Sequence, residues 1–420
     1  MARSIFLLAL LLLPLAGQAA PDYWDAELGV SLATRLQGQE RFFQRSMQLL
    51  ATIEDSGGEV YYKAKGRVRY DNRYDGSHPY SEEAESAYRH DADWRHLYLG
   101  MPLADGELTF GLQQVVWGRA DELRVLDQVN PVDYRHGVTA LLDDSRIAVP
   151  MLRYTRSVDD WEWEGLFITA FEQNQPPAPG SEFDSPAFAV PDPAYFHVVS
   201  DEDYKGRRGF SYGMSANGRI GTVDVSLVAL SSRPFDPVYA VQGQEADGRL
   251  RVQPQFPRYT MLGAGLATDT GSSVVLRSEI AYFDNWQVTN PTVMHGSEQS
   301  TLLKSLLGID YLYREWMISA QWQGQRVVGW REGMLVPRSE DLFTLSVEGS
   351  HAQDRLKSRF LAAFYPPARD NTWMQGLFNY KPADWLRLGL EINLFFGAQD
   401  RIFGAYDKND HIRFSTAYVF

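Results

Sequence analysis

Along most of this chain, apolar and polar residues take turns one by one. In residues 27–37, Leu28, Val30, Leu32, Thr34 and Leu36 fall on one side, and Glu27, Ser31, Arg35 and Gln37 on the other. Successive side chains of a strand point to opposite faces, so a period of two marks a strand with one oily and one wet side. The rhythm returns in 60–70, where Val60, Tyr62, Ala64, Val68 and Tyr70 oppose Lys63, Lys65, Arg67 and Arg69. It returns again in 222–230, in 385–396 and in the last ten residues. Eighteen strands follow, near 27–37, 46–54, 59–70, 92–101, 107–117, 149–158, 161–172, 207–216, 221–231, 258–267, 272–283, 302–312, 315–327, 341–350, 355–365, 372–380, 385–396 and 411–420; sixteen is the alternative count. Most are about ten residues, the length a tilted strand needs to cross a bilayer.

The connections alternate as well. One set is short: Asp55–Gly58, Ala104–Gly106, Asp159–Asp160, Asn217–Gly218, Thr268–Gly271, Tyr313–Arg314, His351–Asp354 and Lys381–Asp384. The other set is mostly long and polar, including 71–91, 118–148, 173–206, 232–257, 284–301, 328–340 and 397–410. Short periplasmic turns and long outer loops are the mark of an outer-membrane barrel, and a soluble sandwich gives no reason for the asymmetry. The expected fold is an all-β, transmembrane, antiparallel up-and-down barrel. Aromatic residues point the same way: Trp161, Trp163, Trp316, Tyr380, Trp385 and Tyr418 near the turns, and Trp117, Trp286, Trp330, Trp373 and Phe396 near the loops, suggest two interfacial girdles. The chain ends on Phe420, an aromatic terminus that would serve as the barrel-assembly signal.

Composition narrows the class. The 420 residues carry a formal charge of −14 and no cysteine, which excludes disulfides and thiolate chemistry and argues against nucleic-acid binding. Residues 1–19 read as a secretory leader: Arg3, a short apolar run from Ile5 to Gly17, then small residues. Residues 20–420 read as one barrel domain in the outer membrane, in contact with its lipid and lipopolysaccharide and inserted by the barrel-assembly machinery.

The wet face carries both signs. Lys63, Lys65, Arg67 and Arg69 form a basic ladder on one strand. Glu162, Glu164, Arg277, Glu279, Lys357, Arg359, Arg387, Glu391 and Arg413 stand on others. Such a wall either orients a polar or anionic solute or neutralises itself across neighbouring strands. The connection 118–148 is unusual, because Leu123, Leu126 and Val129 give it an apolar face and the spacing predicts a short helix after Asp121 that Asn130–Pro131 would stop. Trp117, Asp121, Leu126, Asp127, Asn130, Pro131, Asp143, Asp144 and Arg146 are its candidate residues for narrowing the lumen, an ordinary outer loop being the other reading. Its acids lack the spacing of a calcium loop, so no metal or other cofactor is expected. No hydrolase or phosphate-loop motif appears. His96 alone among the eight His is mid-strand, expected inward among Trp94 and Tyr98 with no Ser in register, so an enzyme is not expected.

The run Gly111–Gly118, then Asp121, Leu126–Pro131 and Leu142–Ile147, resembles a family of Gram-negative outer-membrane β-barrels filed as a domain of unknown function, DUF1302. Phe167–Glu172 and Pro176–Phe183 look like its next strand and its Pro-rich loop, here 173–206. The resemblance covers 107–185 residue by residue and the rest by pattern. It implies a porin-like protein, in a family often encoded beside RND-type exporters and a periplasmic lipid carrier. The implied function is a conduit for a small hydrophobic or amphiphilic molecule. The alternatives are a general or anion-leaning polar-solute porin, and a non-conducting surface adhesion or assembly barrel.

Overall fold

In lipid no water pairs with backbone N–H and C=O groups, so a strand protein that crosses a membrane must close its sheet on itself. The computed structural model describes residues 21–37, 42–76, 80–120, 123–137, 142–185, 194–199, 209–271, 273–367 and 370–420. The leader expected over 1–19 lies outside them. Among the described residues the strands are β1 (Tyr23–Arg35), β2 (Phe42–Asp55), β3 (Tyr61–Asp71), β4 (His90–Leu103), β5 (Gly106–Gln113), β6 (Val149–Val158), β7 (Trp161–Ile168), β8 (Phe196–Val198), β9 (Ser211–Ile220), β10 (Val223–Ser232), β11 (Val238–Gln244) and β12 (Leu250–Gln255). They continue with β13 (Tyr259–Asp269), β14 (Val274–Thr289), β15 (Ser297–Tyr313), β16 (Trp316–Val328), β17 (Ser339–His351), β18 (Leu356–Phe364), β19 (Asn371–Ala383), β20 (Leu386–Gly397) and β21 (His411–Val419).

Eighteen of these form one antiparallel sheet in which each strand pairs with the sheet's next strand along the chain, β7 with β9 and β10 with β13 included. The sheet closes where β1 meets β21, with Glu27 opposite Val419 and Arg35 opposite His411. Every strand expected from the alternation is present. β14 and β15 extend to 16 and 17 residues and rise above the rim. β8, β11 and β12, which alternation did not signal, form a small separate sheet in the long connections. Val241 ties that sheet to the β14–β15 connection, its amide donating to the His295 carbonyl.

Several short turns place one residue in the left-handed region: Ala104, Asp159 and Arg314 have φ of 52°, 52° and 56°. One expected turn is misplaced. Asn217–Gly218 continue β9, with Gly218 opposite Val225, and the chain reverses after Ile220 at Gly221. Gly218 serves packing instead, since a Cβ there would meet the Trp161 ring at 2.3 Å.

The outer face is lined by large apolar side chains left open, among them Phe110, Leu227, Leu262, Leu307, Leu345 and Phe414. Exposed rows of this size on every side of a closed sheet suit lipid, not water. At the turn end Trp163, Tyr380, Trp385 and Tyr418 are exposed as expected. At the loop end the expectation fails for most residues. Trp117 and Trp373 are buried, and Trp286 and Trp330 pack against an internal cluster. Exposed aromatics there are Phe42, Phe167, Phe210, Tyr212, Tyr282 and Phe396. The Trp residues turn inward because the lumen holds an apolar body for them to pack on.

Leu262 stands in mid-strand on the lipid face. Replacing it with Arg is expected to cost about 2–4 kcal/mol, read as a lower denaturant midpoint for the barrel in lipid vesicles.

Candidate functional site

A barrel of this width encloses a lumen that something must line or fill. The chain fills part of it with the connection after β5. Val115, Trp117, Leu123, Val125, Leu126 and Val129 form one cluster with inward residues of the wall, including Met151, Leu166, Ile168, Leu230, Met261, Phe283 and Leu306. Each side chain so buried contributes about 2 kcal/mol of transfer free energy. Glycines on the wall make room for the connection. A Cβ on Gly263 would come within 2.4 Å of Leu126, and one on Gly213 within 2.7 Å of the Trp117 ring.

Polar anchors hold the backbone of this connection. Asn130, fully buried, accepts from the Val115 amide at 2.7 Å and donates to the carbonyls of Gln113 at 3.0 Å and Ile147 at 2.8 Å. Trp117 donates to Glu164 at 2.6 Å, and Glu279 accepts from the amides of Arg119 and Leu126. Asp127 pairs with Arg146 at 2.9 Å, and the Pro131 carbonyl accepts from Ile147. The helix expected after Asp121 is absent from 123–130, which is irregular backbone. The amide of Leu126 is instead taken by the Glu279 side chain, outside any helical ladder. A short helix, α2 (Leu142–Ser145), stands further along. Asp121 and the side chain of Asp143 lie outside the described residues.

The connection crosses the lumen toward β3. Arg135 pairs with Asp133 and with Asp91 of β4, Asp144 pairs with Arg95, and His136 meets Arg69. Arg95 occupies a bulge: His96 stands opposite Lys65, whereas Trp94 stands opposite Gly66 and so faces away from the lumen, contrary to the alternation.

Most wall charges are paired. Lys63 meets Glu54 at 3.0 Å, Arg67 meets Asp93 at 2.8 Å, Arg277 meets Asp310 at 2.6 Å, Arg359 meets Glu348 at 3.1 Å and Arg413 meets Glu391 at 2.6 Å. Arg387 meets Glu27, and Glu164 holds Arg153. Glu162 is open near the turn end, and Lys357 stands across from Asn379. Lys65 and Arg69 differ. Among the described residues neither has a carboxylate within ion-pair distance. Phe420 is exposed, its amide donating to Ala26.

What the connection leaves is a passage of about 530 Å³ against β19–β21 and β1–β3. Five cations line it (Arg67, Arg69, Lys381, Arg387 and Arg413) and four carboxylates (Glu27, Asp133, Asp144 and Glu391), among Ser, Gln and Gly. Sequence reasoning missed Asp133, His136 and Arg135 as site residues. The isolated charges of a long connection carry no periodic signal to say which wall they meet.

Burial holds His136 well below the usual histidine range of about 6.5, and the adjacent Arg69, Arg135, Arg67 and Arg413 lower it further. The docked ring is therefore neutral, whereas an undocked one takes a proton near its ordinary value. The undocked state binds more protons as pH falls through that value, so docking weakens toward acid. Protease cleavage within 119–137 of the folded protein is expected to accelerate from about pH 7 to about pH 5, and His136→Asn to flatten that dependence. Gly263→Val is expected to raise the same cleavage at every pH by displacing Leu126.

The fold is shared with solved bacterial proteins. Acinetobacter baumannii OccAB1 aligns with TM-score 0.54 at 11% identity, covering 94% of this chain and 95% of that one. Pseudomonas aeruginosa OccK1 (OpdK) aligns with TM-score 0.50 at 11% identity, covering 94% and 98%. At such identity the likeness is one of fold. No curated protein matches the sequence significantly. A family described as a protein of unknown function, DUF1302, matches residues 1–418, and the chain belongs to that family.

Proposed function

We propose that this barrel is a bacterial outer-membrane channel for small polar solutes that favours anions. The observation that carries the reading is the passage itself: charged and polar side chains line it beside Leu377, Leu388 and Tyr380, and Arg69 stands there with no carboxylate within ion-pair distance among the described residues. Further along β3, beyond the paired Arg67, Lys65 likewise has no carboxylate within ion-pair distance among the described residues. Asp91, Asp93 and Asp144 act on Arg69 only from beyond ion-pair distance, which leaves it open to a mobile anion, while paired charges elsewhere on the wall cancel. The loop end faces outward in this reading, the turns face the periplasm, and the leader over 1–19 exports the chain.

A second reading, a conduit for an amphiphilic molecule served by a periplasmic carrier and an RND-type exporter, draws on the apolar half of the lumen. Val125, Leu126 and Val129 occupy that half now, so an oily cargo would need them displaced. The adhesion reading is weaker, because residues 176–185 of the Pro-rich loop pack over the barrel mouth, with Phe183 buried.

Single-channel recording in planar bilayers tests this. Stepwise conductance with anion-leaning reversal potentials is expected, and it should grow when 119–148 is deleted. Reversing Lys63, Lys65, Arg67 and Arg69 to Glu should shift the reversal potential toward cations; an unchanged potential would return the ladder to a structural role. Loop deletion that raises uptake of hydrophobic dyes but not of ions favours the second reading.

A further inference from the structure

Residues 176–185 place a carboxylate and an aromatic ring side by side over the passage. Glu182 receives the Arg35 guanidinium and the Tyr80 hydroxyl, and Arg73 donates to that same hydroxyl at 3.0 Å. Phe183, 8% exposed, sits among the rings of Phe43, Tyr88 and His136 at 6.2, 6.1 and 5.7 Å. Arg35 continues the inward file of β1 whose Glu27, Gly29 and Ser31 line the passage. His136, which carries one edge of the ring site, meets Arg69 inside that passage. The pair therefore stands at the loop end of the solute route.

The way the segment is held separates its side chains from its backbone. Ser81 donates to the Pro179 carbonyl at 2.6 Å, Asn409 to that of Glu182 at 2.7 Å and Tyr406 to that of Phe183 at 3.1 Å. These bonds grip the main chain and leave the carboxylate and ring as inserted groups. The fork of Arg35 is used at one prong only, because its Nε has no partner among the described residues. A guanidinium binds a carboxylate most strongly through two parallel donors, so the tethered Glu182 leaves the site underused.

We infer that Glu182 and Phe183 are an intramolecular stand-in for the solute, and that Arg35 with Tyr80, beside the Phe43–Tyr88–His136 cage, forms a recognition site at the mouth for a small aromatic carboxylate. This rests on the reading of the lumen as a solute passage and names the solute class. The tether gives Glu182 an effective concentration of about millimolar or more, so a free carboxylate competes poorly until the stand-in is removed.

Equilibrium titration of the purified, detergent-folded full-length protein with 3-phenylpropionate tests the site, with acetate and benzyl alcohol as partial ligands. Glu182→Gln with Phe183→Ala, which vacates both halves of the site, is expected to bind 3-phenylpropionate at least about tenfold more tightly than the unaltered chain, or about 1.4 kcal/mol. Adding Arg35→Met to that double variant should abolish the binding, and neither partial ligand should reproduce it. A strand-rich circular dichroism spectrum verifies that each variant is folded. Equal affinity with and without the Glu182–Phe183 pair, survival of binding once Arg35→Met is added, or equal binding of acetate overturns the inference. Conductance recorded on the same variants keeps the two readings apart. Tight binding by a silent barrel overturns the channel and leaves the site, whereas conduction without binding does the reverse.

Discussion

The closed backbone ladder is the constraint from which the rest follows. Each strand must find two partners because lipid offers none, and here the obligation is met only when β21 returns to β1. Eighteen strands wound this way enclose more space than their own inward side chains fill. The interior then needs either water or protein, and the chain supplies both. The connection after β5 occupies the side next to β6, β7, β10 and β13–β15, and solvent-lined space is left on the other side.

That division governs the charges. Where the inserted connection is apolar, the facing wall is mostly Val, Leu, Met, Phe and Gly, and the carboxylates that remain, Glu164 and Glu279, offset their desolvation by accepting from Trp117 and from the amides of Arg119 and Leu126. Where the space is wet, Arg and Glu stand across neighbouring strands and satisfy one another. β3 is the exception. It carries more cations than its neighbours carry nearby acids, and the ends of the crossing connection, with Asp133 and Asp144, come to rest beside it. In the proposed reading this local excess sets the field in the passage, although the overall charge of the chain has the opposite sign.

Much of the architecture was legible because a barrel strand has a period of two and each face has one solvent. Strand identity, strand count and the contrast between turns and loops all follow from that rule. It fails where a face has a third environment. Trp117 and Trp373 look like interfacial residues by position, yet they are buried inside the barrel mouth. Gly218 looks like a turn residue, yet it makes room for Trp161. Trp94 was placed inward because alternation cannot foresee the bulge at Arg95. The wall residues were readable one by one, but their partners were not. Register between distant segments decides that Arg387 meets Glu27 and that His136 meets Arg69.

The two ends of the inserted connection differ in how far along the chain their anchors lie. Asn130 binds to Gln113, Val115 and Ile147, all within 17 residues, so that knot can tie as soon as β5 and β6 exist. Glu279, which grips the amides of Arg119 and Leu126, lies 160 and 153 residues away, and Gly263 lies on the same distant stretch of wall. Those grips cannot form until the chain has been laid down at least through β14. The seat of the connection therefore combines one local knot with one that exists only when walls far apart in the chain have met.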